Sequence, residues 1–159
     1  MSARIETQVS SLSERWDDWP DAEAVVRRAV EAALADPTIK APAEGEVSIA
    51  LADDFAVQTL NRDYRGQDKP TNVLSFPTAR GPLLGDIIIA HETLLREAKD
   101  DDLSPSDHLS HLTIHGLLHL LGYDHDTEAE AVAMEKLETA ILARLGIRDP
   151  HAAGRMMPE

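Results

Sequence analysis

One stretch constrains this chain more than any other: His115-Gly-Leu-Leu-His119-Leu-Leu-Gly122-Tyr-Asp-His125. Three imidazoles sit at offsets 0, 4 and 10 in the most apolar helical run of the sequence. Residues four apart lie one above the other on a helix, so His115 and His119 can face one ion. Gly122 admits a left-handed turn that stops the helix and lets the chain swing His125 in as a third ligand. Three neutral nitrogen ligands leave a fourth position for water, which is the arrangement of a catalytic zinc rather than of a closed structural one. A lone His on an apolar helix is usually a core residue with a satisfied hydrogen bond, and His-x-x-x-His alone is a weak sign. The chain has seven His. By chance, a second at +4 and a third at +10 would occur roughly once in seventy. The reading adopted is one zinc ion held by His115, His119 and His125.

The same spacing occurs in metzincin proteases, His-Glu-x-x-His-x-x-Gly-x-x-His, where the Glu is the general base. Here that position is Gly116. The ligand frame survives and the peptidase base does not, which argues for a metal hydrolase of another class.

At 100° per residue, His108 and His111 fall at about +20° and −40° from His115, on the face that also carries His119. His111, one turn before His115, is a candidate for the catalytic machinery as a proton carrier or as a donor behind the metal. The alternative, a core histidine bonded to backbone, is slightly preferred for His111 and clearly preferred for His108. Asp124 and Asp126 flank His125, and either can hold a ligating ring by its free N–H. The second constellation is Arg65…Asp68-Lys69-Pro-Thr-Asn72-Val-Leu-Ser75-Phe76. Arg65 is the side chain there suited to grip a phosphodiester bidentately and to meet charge developing on it; the alternative is a solvated Arg in a turn before a strand.

Residues 4–9 alternate apolar and polar and read as a strand. Trp16 and Trp19 then anchor a connection. Residues 21–35 form a helix that ends before Pro37. Val47 to Leu51 is a second strand, and Asp53 or Asp54 caps a helix through Val57, Leu60 and Tyr64. Val73 to Phe76 is a third strand, stopped by Pro77. A loop with Gly81-Pro82 leads to 85–90, an apolar strand expected to be buried on both faces. His91 to Asp100 is a helix. Ser104 caps the histidine helix with Pro105 at its first position, and this helix should be central. A last helix, roughly 127–145, carries Val132, Leu137, Ile141, Leu142 and Leu145. The expectation is a single α+β domain over 1–148, with about four strands in a mixed sheet and about five helices, the metal site on a central helix. A disordered tail is expected over 149–159.

The chain has 159 residues, enough to bury one proper core. No apolar run approaches membrane-spanning length, so no membrane partner is expected. The charged start at Met1 shows no secretory signal, and the expected location is the cytoplasm. There is no Cys, so metal ligands must come from His, Asp and Glu. The net charge of −14 argues at first sight against a polyanionic partner. It is unevenly spread: residues 1–54 and 101–159 each carry −7, while 55–100 carry none. Only that middle stretch would meet a phosphate chain without a negative field.

Three segments, Leu60-Asn-Arg-Asp-Tyr64-Arg65-Gly-Gln-Asp-Lys-Pro-Thr-Asn-Val-Leu-Ser-Phe-Pro77, Leu84-Gly-Asp-Ile87 and His115 to His125, together resemble the YbeY family over roughly residues 45–146. The resemblance implies a zinc-dependent, single-strand-specific endoribonuclease of bacterial ribosomal RNA maturation. It would act at the 3′ end of 16S rRNA and in ribosome quality control. The implied partners are ribosomal RNA and the small subunit, with a ribosomal protein as a further candidate, and not DNA. The resemblance also implies zinc on the three His and a need for Arg65 in cleavage. One departure is Gln67, where family members often carry Lys. Two alternatives stand beside this reading: a non-catalytic ribosome assembly factor with a structural zinc, and a metzincin-like zinc peptidase.

Overall fold

The computed structural model describes residues 4–78 and 82–150. The expected disordered tail from Asp149 falls almost wholly outside the described residues, as do Gly81 of the expected loop and the first three residues of the charged start.

Among the described residues the chain runs β1 (Arg4–Ser11), a 3-10 turn (Glu14–Asp18), α1 (Ala22–Leu34), β2 (Glu44–Ala52), α2 (Asp54–Arg65), β3 (Val73–Pro77), β4 (Leu83–Ala90), α3 (His91–Asp100), α4 (Pro105–Leu120) and α5 (Glu128–Arg144). The α+β expectation, with four strands and five helices, is what is observed. The sheet order is β1-β2-β4-β3. The first three of these strands are parallel and β3 runs antiparallel to β4, so the sheet is mixed.

Strand alternation divides the core between the two faces of the sheet. Val47, Ile49, Leu51, Ile87 and Ile89 join the large cluster with α1, α4 and α5, whereas Ala52, Leu74, Ile88 and Ala90 pack with Val57 of α2. β4 is thus buried on both faces, as its apolar run predicts. Trp16 donates from Nε1 to the Ala52 carbonyl at 2.8 Å and stacks on Trp19, so the two rings do anchor the connection.

Helix α4 is the centre of the molecule. Every residue from His108 to Leu118 is buried, and the helix touches α1, α3, α5, β3 and β4. It can lie this close to the sheet because of Gly116. A Cβ there would stand 2.8 Å from Ile87 Cγ2 and 3.1 Å from Ser75 Oγ. The position that carries the general base in the peptidases therefore has no room for a side chain. The inward stripe of helix α5 is Met134, Glu138, Ile141 and Leu142. Val132 points outward at 43% exposure, because the first turns of α5 project past the core.

Candidate metal centre

The sequence builds the third ligand's position with two local motifs. At the end of α4, Gly122 takes φ 98°, its N–H donates to the His119 carbonyl at 3.1 Å, and Tyr123 N–H reaches back to Leu118 at 3.0 Å. This is a Schellman termination. Five residues on, Thr127 and Glu130 form a reciprocal capping box that starts α5. His125 hangs between these two fixed points.

One ligand atom from each of His115, His119 and His125 lies within 4.8 Å of the other two. His115 is 2% exposed; His119 and His125 are half-buried. Each of the first two rings has its outer nitrogen engaged. His115 Nδ1–H donates to Glu138 Oε2 at 2.7 Å, and His119 Nδ1–H donates to the Tyr123 carbonyl at 3.1 Å. These partners place the protons on Nδ1 and leave lone pairs on both Nε2 atoms, which face each other at 3.1 Å. Two facing lone pairs repel, and a cation between them removes the repulsion. His125 Nε2 is buried without a hydrogen-bond partner. Burial, and then the neighbouring rings of His115 and His125, push the pKa of His119 down to about 4. It is therefore neutral near pH 7, the form in which imidazole binds metal. The donor set thus fits a divalent ion of the zinc type and leaves room for a further ligand.

Glu138 was not anticipated from the sequence. It is 1% exposed and bridges two histidines, accepting from His115 through Oε2 and from His111 Nε2 through Oε1 at 2.9 Å. His111 is therefore tied to a side chain. It is 5% exposed, and burial holds its pKa below the ordinary value against the pull of Glu138. His108 likewise bonds a side chain, Glu97, at 2.8 Å. Asp124 accepts from the backbone N–H of His125 at 2.8 Å. The ring protons of His115 and His119 go instead to Glu138 and the Tyr123 carbonyl, so the acids flanking His125 do not hold those two rings.

Arg65 is the last residue of α2, which Gly66 stops in a left-handed conformation at φ 68°. Arg65 Nη2 donates to the Ser75 carbonyl at 2.6 Å, and its guanidinium lies 5.4 Å from the centre of the Phe76 ring. Ser75 Oγ in turn donates to the carbonyl of Gly116 at 3.1 Å. One residue of β3 thus connects the exposed Arg65 to the residue beside His115.

Fold and site together define an α+β protein with an open three-histidine group able to hold a metal ion, on a helix that lacks the peptidase base. The family model described as "Endoribonuclease YbeY" matches residues 8–146. The chain belongs to this endoribonuclease family. It is 51% identical over 157 residues to the endoribonuclease YbeY of Bradyrhizobium sp. (strain BTAi1), covering 92% of each chain. It is 54% identical over 151 residues to that of Rhodospirillum rubrum, covering 86% of this chain and 76% of the relative. A solved solution structure, TM1509 from Thermotoga maritima, aligns over 97% of each chain with a TM-score of 0.48 and 21% identity.

Proposed function

We propose that this chain is a zinc-dependent, single-strand-specific endoribonuclease that matures the 3′ end of 16S rRNA in the cytoplasm and serves ribosome quality control, working on the small ribosomal subunit. The observation that carries the metal requirement is the pair of Nε2 atoms on His115 and His119, facing each other at 3.1 Å with their Nδ1 protons already engaged. Family membership carries the choice of RNA as substrate.

His115, His119 and His125 would hold the ion. When bound, it supplies Lewis acidity toward a phosphoryl oxygen or water. Glu138 and the Tyr123 carbonyl keep two of the rings aimed. Arg65 donates to the phosphodiester oxygens and meets the charge that grows on them in the transition state. His111 acts behind the site by holding Glu138 in place, and its depth in the core removes it from contact with substrate. The contact of Gly116 with Ile87 and Ser75 speaks against the peptidase alternative, since the position of its base is closed.

The experiment is cleavage of a small-subunit rRNA 3′ fragment by wild type and His119→Ala, with zinc content and folding measured on both. Cleavage by wild type alone is the expected result. Equal cleavage by both proteins would assign the activity to a contaminant. No cleavage by zinc-loaded wild type, on the fragment or on small subunits, would shift the reading to the non-catalytic assembly factor.

A further inference from the structure

A groove of about 340 Å³ runs between the C-terminal end of α2, the loop that follows it and α3. Arg65, Lys69 and Arg96 line it together with Asn72, Thr93 and one acid, Glu97. All its lining residues fall between 61 and 97, inside the stretch that carries no net charge in a protein of net −14. Glu97 offsets part of the charge of the three cations, and its oxygens are turned to protein partners. Oε1 accepts from His108 Nε2 at 2.8 Å and from Asn72 Nδ2 at 3.0 Å, and Oε2 lies 3.4 Å from the same amide nitrogen. Arg96 is positioned by Thr93 Oγ1 at 3.1 Å and by Asp54 at 3.7 Å, and remains 58% exposed.

Asn72 adds an independent sign of a ligand. It is 1% exposed, and its amide nitrogen is committed to Glu97, which fixes the direction of the amide. Its Oδ1 is buried and has no donor. A buried acceptor left without a partner is uncommon in native proteins and asks for an explanation. The residue that carries it, Asn72, is one of those that line the groove.

We propose that this groove binds the RNA strand next to the bond being cut. Arg65, Lys69 and Arg96 hold its phosphates, and Asn72 Oδ1 accepts from a ribose 2′-hydroxyl. The inference rests on the ribonuclease reading above and adds where the strand lies and what tells RNA from DNA. Arg presents a planar fork to phosphate and Lys a point charge. The 2′-hydroxyl is the one donor that RNA offers and DNA lacks at the same place.

The test is fluorescence anisotropy with a short labelled uridine oligoribonucleotide and its deoxy counterpart. Wild type, Lys69→Gln/Arg96→Gln and Asn72→Ala are titrated across a salt series in chelator to halt cleavage, and zinc binding and thermal unfolding are checked separately. Each phosphate contact on a single strand contributes about 0.7 to the slope of log affinity against log salt. The double variant should therefore lose about 1.4 from that slope and bind roughly tenfold or more weakly at low salt. Asn72→Ala should keep the slope and lose the preference for RNA over DNA. If wild type binds and cleaves RNA while the double variant keeps its slope, the groove is off the RNA path and this inference fails alone. An unchanged RNA preference in folded Asn72→Ala overturns the hydroxyl assignment. If wild type binds no RNA, the inference falls together with the reading it rests on.

Discussion

Glu138 Oε2 and His115 Nδ1 meet at 2.7 Å in the core, joining α5 to the helix that presents two of the three candidate metal ligands. A carboxylate behind a ligating imidazole fixes its tautomer and raises its basicity, and loss of such a partner typically weakens metal binding 10–100-fold. Glu138→Gln keeps the shape and removes the charge. Zinc affinity, measured by competition with a chromophoric chelator, should fall by about that factor. Unchanged affinity would show that the carboxylate serves packing alone.

Arg65 touches the sheet through the Ser75 carbonyl and supplies no candidate metal ligand. Arg65→Ala should therefore retain zinc at the wild-type ratio and lower kcat by about 10²–10³, the usual cost of removing one donor aimed at transition-state charge. Loss of zinc from the purified variant would sink this assignment.

Gly116→Ala tests the packing of α4 on the sheet. Alanine favours a helix over glycine by about 1 kcal/mol. Against that, the new Cβ meets the fully buried Ile87 at 2.8 Å, and Ile87 has neighbours on every side. Overpacking of this kind costs about 1–3 kcal/mol, so the net effect should be destabilising, read as a lower urea midpoint at constant m-value. A midpoint at or above wild type would mean that strand and helix part easily.

His91 should make stability depend on pH. Its ring stands edge-on to Trp16 with centroids 5.0 Å apart, and its Nδ1 is buried without a partner. Burial, with help from Arg15, holds its pKa below the ordinary 6.5 against the opposing charges of Glu92, Asp54 and Asp18. As pH falls, the unfolded chain takes up this proton before the folded one does. The contribution is therefore whole above pH 6.5 and is lost below it. Between about pH 7.5 and 5.5, on either side of the histidine range, the urea midpoint should drop more for wild type than for His91→Phe. Equal drops would exclude His91 as a source.

Much of this was legible because the signals were local. The cap at Ser104, the turn at Gly122 and the apolar run of β4 each announce themselves within a few residues, and the three histidines share one short segment. Glu138 was not legible in the same way. It lies 23 residues from His115 and belongs to a helix with several other acids, most of them solvated. Its spacing did carry a sign: Met134, Glu138, Ile141 and Leu142 repeat as one inward face, and a carboxylate in such a stripe needs a partner. The Arg65 to Ser75 to Gly116 connection was out of reach for another reason, since it depends on how β3 pairs with β4 and on which of its faces meets α4.

The segment between the Schellman turn and the capping box has a thermodynamic consequence. Ordering a residue's backbone costs about 1–2 kcal/mol in entropy. A loop anchored at both ends by its own hydrogen bonds meets much of that cost when the protein folds, before any ion arrives. His125 then waits close to where it is needed. The apo protein should be a finished receptacle, with affinity governed by the donors' chemistry and little of it consumed in arranging the chain.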